Sequence, residues 1–298
     1  MTGNAKLRDS LLLAAAFLVV AVWGETFISS KILLDRGLAP ADIFFYRFLL
    51  AYLCVWPLSR KHLWAKSLKD ELLLFALGAL GGTLYFLAEN TALKYSTASN
   101  VALILCIVPF VTALLMSALY RDERLHRKQL VGSLIALVGM LMVVMNGQLV
   151  LHLNPKGDLL ALGAVLVWGL YSIVLKSVSS RYDAVFISRK VFVYGIVGII
   201  PYFLLVEPLN TDLKLISQTV VWGNLVYLGI VASMLCFVFW NKALKSIGVV
   251  RTTNLLYVQP FITMLIARII LDERITWMAV VGAVILTIGM VKLEKKSD

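Results

Sequence analysis

Three ionisable side chains stand inside otherwise apolar runs of this sequence: Glu25, Arg47 and Glu89. A charge in such a run costs several kcal/mol unless it is paired, hydrated or used, so these three are the first candidates for chemistry. The chemistry open to them is ion pairing, recognition of a charged solute, or proton transfer. Arg47 facing one carboxylate would keep that carboxylate ionised and tie helices together, whereas a carboxylate left over would be desolvated and able to carry a proton.

Helical spacing gathers amphipathic side chains around these charges. One face holds Gly78, Gly81, Gly82, Tyr85 and Glu89; a second holds Trp168, Tyr171 and Ser172; a third holds Ser233, Cys236, Phe237 and Trp240; a fourth holds Thr253, Asn254 and Tyr257. Mixed aromatic and hydroxyl faces are unsuited to lipid tails at mid-depth and suit a cavity for an organic solute. The expected solute-binding set is Trp23, Tyr85, Trp168, Tyr171, Trp240, Asn254 and Tyr257, with Glu25, Arg47 and Glu89 meeting charged groups or protons. Trp23 and Glu25 lie about 200° apart on an ideal helix, so one of them is expected to serve packing unless Gly24 distorts the turn. Trp56, Trp64, Trp222 and Trp277, near the ends of apolar runs, are expected in interfacial belts instead.

Catalysis fits poorly. The sequence contains no Asp-rich prenyl-diphosphate motif, no His-Glu-x-x-His, no Gly-x-Ser-x-Gly and no phosphate-binding glycine loop. His62, His126 and His152 are scattered, and Cys54, Cys106 and Cys236 each sit in an apolar run as small buried residues. Neither an enzyme activity nor a metal or cofactor is expected.

The elements that must position these residues are membrane helices. The chain is 60% hydrophobic and only 15% charged, against roughly 25% charged in soluble domains. Apolar runs near or above 18 residues recur about ten times, each long enough to cross a hydrocarbon core. Helices are expected over 10–34, 41–58, 71–93, 97–120, 128–146, 157–178, 184–206, 218–243, 249–271 and 275–293. The run after Lys6 and Arg8 outlasts a signal peptide, so it reads as an uncleaved first helix. With that start inside, 20 of the 28 Lys and Arg fall on the cytoplasmic side, which places both termini there. The net charge of +11 is thus a topology signal and a means of lying against anionic headgroups, not a nucleic-acid footprint.

The chain also repeats itself. Asn90-Thr91-Ala92-Leu93-Lys94, Pro109, Asp122-Glu123-Arg124, Gly132 and Gly139-Met140 recur as Asn241-Lys242-Ala243-Leu244-Lys245, Pro260, Asp272-Glu273-Arg274, Gly282 and Gly289-Met290. The offset is 151 up to the prolines and 150 after them, and Trp23-Gly24 recurs as Trp168-Gly169 at 145. The division is 1–146, a linker 147–156, and 157–298. Five spans per half is an odd number, so the second copy enters from the opposite side and the halves form an inverted repeat, the architecture of alternating access. Pro109 and Pro260 are expected mid-helix, as kinks or gating hinges. The paired glycines are expected in close helix packing.

These motifs in series resemble the EamA-type repeat of the drug/metabolite transporter superfamily: Trp23-Gly24, Pro40 with Arg47-Phe48, Asn90-x-Ala-Leu, Pro109, Glu123-Arg124 and the glycine-rich fifth span, echoed by Trp168-Gly169, Asn241-x-Ala-Leu, Pro260, Glu273-Arg274 and Gly282/Gly289. The resemblance covers nearly the whole chain. It implies an all-α membrane protein of ten helices, in a 5+5 inverted repeat around a central cavity, moving small metabolites across a bacterial inner membrane, often outward. In amino-acid exporters of the family the first, third, fourth, sixth, eighth and ninth spans form that cavity. The second copy departs from the pattern where Arg47 would recur, and Leu170 and Trp240 stand where Glu25 and Glu89 would. The expectation is a secondary transporter for an amino acid or related compound, coupled to protons or facilitated, with a small-molecule solute and the bilayer as partners. Its oligomeric state is left open. The rivals are a carrier of nucleotide sugars or organic cations and, further off, a membrane-embedded enzyme.

Overall fold

The computed structural model describes residues 3–59, 63–96, 101, 104–121, 126–145, 154–259 and 276–294, and among these the regular structure is helical. In chain order the main helices are α1 (Gly3–Asp35), α2 (Pro40–Val55, with a 3-10 turn Trp56–Ser59), α3 (Leu68–Tyr95), α4 (Val108–Leu119), α5 (Arg127–Met145), α6 (Pro155–Ser179), α7 (Ala184–Leu205), α8 (Thr219–Ile247), α9 (Val249–Thr253, with a 3-10 turn Asn254–Val258) and α10 (Trp277–Glu294), and a single helical turn Leu213–Ile216 lies between α7 and α8. Six of them, α1, α2, α3, α6, α7 and α8, are long and apolar enough to cross a bilayer. Pro260 and the two Asp-Glu-Arg triplets lie outside the described residues.

Local chemistry sets the helix ends. Pro40 opens α2, and the Asp42 carboxylate accepts from the Ala39 amide at 2.9 Å. Ser67 caps α3, Asn154 precedes Pro155 and caps α6, and Asp183 caps α7 by accepting from Val185 and Phe186. Gly37 and Gly248 follow α1 and α8 with φ of 100° and 99°, a conformation that side-chain-bearing residues resist.

Two expectations change. Pro109 stands in the first turn of α4 rather than mid-helix, because a turn at Cys106–Ile107 interrupts the helix before it. There its missing N–H is one that no helix would have used. The third and eighth helices are also not uniformly α-helical: Ala79–Leu84 in α3 and Tyr227–Leu235 in α8 are π-helical.

The packing is organised in exchanged pairs. Helix α1 packs on α8 and α6 on α3; α2 packs on α8 and α7 on α3; α4 packs on α6, while the turn after α9 packs on α1. The pairs α2–α7, α4–α9 and α5–α10 meet directly. This set is unchanged when each helix is replaced by the one five places along the chain. The α5–α10 seam shows it at residue level. A Cβ on Gly139 would meet Leu286, one on Gly289 would meet Ala136, and one on Gly282 would meet Met142 and Val143. The two helices therefore run antiparallel. The contacts Gly139–Leu286 and Gly289–Ala136 interchange under the 150-residue offset.

Candidate functional site

The centre of the molecule is a continuous cluster of rings. Trp23 of α1 meets Trp168 of α6 at 5.6 Å and Trp240 of α8 at 4.9 Å between ring centroids. Trp168 touches Tyr85 of α3 at 4.9 Å and its own helix neighbour Tyr171 at 5.3 Å. Phe237 joins Trp23, Trp168 and Tyr171 to Phe48 and Phe192. Five of the seven residues expected to bind solute are thus brought together, and they pack on one another as edge-to-face and tilted pairs. The other two stand apart: Tyr257 is buried against Cys106, Ala136, Met140 and Leu286, and Asn254 lies in the turn after α9.

The cluster carries the exchange symmetry of the fold. Trp23 and Trp168, 145 residues apart, touch each other, as do Phe48 and Phe192, 144 apart, at 5.1 Å. Phe86 packs on Phe48 at 5.4 Å, and Phe237, 151 residues further on, packs on Phe192 at 5.6 Å.

The intramembrane charges line this cluster. Arg47 is 2% exposed, and its guanidinium lies over the Phe86 ring at 4.2 Å while Nε donates to the Ser233 hydroxyl at 3.0 Å. It forms no ion pair within 4 Å with Glu25 or Glu89, although the Glu89 carboxylate is the principal charge acting on it. A cation over a desolvated ring gains about 2 kcal/mol; that contact and the Ser233 bond hold the guanidinium, and the Glu89 carboxylate acts on it from further off. Glu89 accepts from the Tyr85 hydroxyl at 3.2 Å. Glu25 is half-buried beside the Tyr227 hydroxyl, which also donates to the Val22 carbonyl at 3.0 Å. Trp23 and Glu25 therefore both meet α8, one at the rings and one at Tyr227.

The π segments place these contacts. A π turn widens the helix and frees carbonyls from their usual partners. In α8 the Trp23 indole donates to the Ala232 carbonyl at 2.9 Å, and Ser233 receives Arg47. In α3 a Cβ on Gly81 would stand 2.4 Å from the Tyr171 ring, and a Cβ on Gly82 2.8 Å from Phe48. Glycine is what lets the rings come this close. Gly78 and Gly229, 151 apart, likewise admit the backbones of α7 and α2.

Sequence reasoning missed a second polar assembly, at the end of the molecule where α3 and α7 begin. Glu71 pairs with the buried Lys190 and accepts from Tyr194, and Asp70 pairs with Arg181 at 2.9 Å and accepts from Tyr182 at 2.8 Å. Arg189 donates to the carbonyls of Ser59 and Leu63, and Lys245 to that of Tyr182. The signal was present in the opposed charges at 70–71 and 189–190. At the opposite end, Asp42 accepts from the Asn210 amide and Tyr46 donates to its carbonyl. Nearby, Lys31, Asp35, Lys94 and Glu207 line a cavity of about 240 Å³.

A family model described as the EamA-like transporter family matches residues 10–145 and 155–293. The chain is 29% identical to an uncharacterized transporter of Archaeoglobus fulgidus, over 95% of this chain and 96% of that one. It is 28% identical to a probable amino-acid metabolite efflux pump of Escherichia coli, over 92% of each. A probable terminal-alkyne amino-acid exporter of Streptantibioticus cattleyicolor is 24% identical over 95% and 93%. Among solved structures, one crystal structure superposes with a TM-score of 0.73 at 16% identity, covering 96% of this chain and 98% of that one, a likeness of fold.

Proposed function

The chain belongs to the EamA-like transporter family, and from that premise we propose that it exports an amino acid or a related small metabolite by alternating access. That it is a multi-pass membrane protein of the transporter class follows from its family and its apolar helices. The observation that carries the finer reading is the meeting of repeat-equivalent residues at the centre, Trp23 on Trp168 and Phe48 on Phe192. A packing that maps onto itself when the halves are exchanged supports ten spans in a 5+5 inverted repeat, residues 1–146 and 157–298 joined by 147–156. Such a repeat has two equivalent packings, one open to each side.

The names of the relatives from Escherichia coli and Streptantibioticus cattleyicolor support an amino-acid solute. The rings of Trp23, Tyr85, Trp168, Tyr171 and Trp240 would hold its apolar part, and Pro109 and Pro260 would serve as hinges. In a bacterial inner membrane the positive-inside rule puts both termini, and the ion-rich end at Glu71 and Lys190, in the cytoplasm. With no phosphate-binding loop in the sequence, an existing gradient or simple facilitation drives the cycle, and Glu25 or Glu89 is the proton carrier if the gradient is of protons.

Purified protein in liposomes, given pooled labelled amino acids with and without a pH gradient, tests this reading. Uptake stimulated by the gradient in the wild type, and lost in either Glu25→Gln or Glu89→Gln, is the expected result. Uptake indifferent to the gradient in all three removes the proton. The amino-acid reading fails if no amino acid crosses.

A further inference from the structure

Two buried polar atoms of the ring cluster have no partner among the described residues, the indole nitrogens of Trp168 and Trp240. An indole N–H can only donate. Trp23, in ring contact with both, has its own indole satisfied by the Ala232 carbonyl, so pairing is compatible with this cluster. Arg47 adds donors of the same kind. Its Nε is used by Ser233 and one face by Phe86, while its two Nη groups have no hydrogen-bond or ion-pair partner among the described residues. It belongs to the same assembly, because Phe86 touches Tyr85 at 5.0 Å and Tyr85 touches Trp168. The nearby carboxylates already have tyrosine hydroxyls beside them, Tyr85 at Glu89 and Tyr227 at Glu25. What the two indoles and the Nη edge of Arg47 lack, among the described residues, is an acceptor within hydrogen-bond reach; the Glu89 carboxylate acts on Arg47 from beyond ion-pair distance. A guanidinium edge with two free Nη groups matches a carboxylate as a planar fork.

We propose that the core contains a carboxylate subsite in which the Nη edge of Arg47 docks the solute's carboxylate and the Trp168 and Trp240 indoles donate to its acceptor oxygens. This rests on the transporter reading and narrows it: the solute carries a carboxylate, and organic cations without one are not carried.

The test uses full-length protein in liposomes, labelled phenylalanine as the solute, and three competitors. Phenylpropionate keeps the carboxylate without the amine; phenylalanine amide and phenethylamine lack the carboxylate. The acid is expected to compete at least about tenfold better than the amide or the amine, the loss of one charge-assisted hydrogen bond being enough for that factor. Trp168→Phe and Trp240→Phe keep a ring and remove the N–H, and Arg47→Lys keeps the charge and removes the fork. Each is expected to narrow the acid-to-amide ratio, whereas a packing role would weaken both competitors together. Should the amide compete as well as the acid while phenylalanine is carried, the subsite is refuted and the transporter reading stands. Should labelled phenethylamine be carried while no amino acid of the pool is, both readings fall.

Discussion

Arg47 was conspicuous in the sequence because arginine in an apolar run has to be explained, yet its partners were not. Ser233 is 186 residues away and hydroxyl-bearing like many others, and Phe86 reaches it only through the fold. The same holds for Lys190, which reads as an ordinary charge near a helix start and is in fact nearly enclosed, with Trp64, Tyr194 and Phe186 around its ammonium. Its ion pair with Glu71 is 4% and 16% exposed on its two sides, whereas Arg181 facing Asp70 is 41% exposed. Removing one partner of a buried pair strands the other charge, whereas replacing Asp70, itself 7% exposed, leaves Arg181 reaching water, where a lone charge costs little. Glu71→Gln is accordingly expected to destabilise the protein by about 3 kcal/mol, and Asp70→Asn by less than about 1 kcal/mol. Thermal unfolding in detergent would compare them, and equal losses would show that burial is not what separates the two pairs.

At the scale of elements, length and apolarity located the described helices well, since crossing a bilayer leaves a chain few alternatives to a helix of about twenty residues. Their interiors were not legible. A π turn has no compositional signature, and only the glycines at 78, 81, 82 and 229 hinted at close approach. Apolar residues run through the stretch before Pro109 as they would through a helix, whereas the turn at Cys106–Ile107 lets the proline open the next helix. The glycines of α5 and α10 point to close packing in the sequence, and they are what permit the seam. A Cβ on Gly139 would stand 2.2 Å from the Leu286 nitrogen, while one on Gly163 of α6 would meet nothing within 4 Å. Gly139→Val is therefore expected to cost about 1–3 kcal/mol by overpacking, and Gly163→Ala to add about 0.5–1 kcal/mol by stiffening the helix. Melting temperatures of the two variants moving in the same direction would contradict the seam.

At the scale of the whole molecule, the repeat visible in the sequence reappears as contacts that survive exchange of the halves, but the charged groups do not follow it. Val191 rather than a second arginine stands at the repeat position of Arg47, and the two ends are closed by different chemistry, ion pairs at one and backbone hydrogen bonds to Asp42 and Tyr46 at the other. The sequence anticipated that one-sidedness from the absence of acidic residues at Leu170 and Trp240. Orientation can be checked directly, because Lys66 and Lys214 are exposed at opposite ends. In intact cells a membrane-impermeant thiol reagent is expected to label Lys214→Cys and spare Lys66→Cys; the reverse pattern would invert the topology. The distribution of indoles has an optical consequence. Trp23, Trp168 and Trp240 touch at the centre, while Trp56, Trp64, Trp222 and Trp277 are 37%, 73%, 49% and 77% exposed. Light absorbed by any of the inner three is shared among them, and Trp168 and Trp240, 4% and 0% exposed, are shielded from quenchers dissolved in lipid or water, whereas the outer four are not. The protein thus carries an intrinsic fluorescent reporter at the proposed solute site, and brominated lipid would silence the background around it.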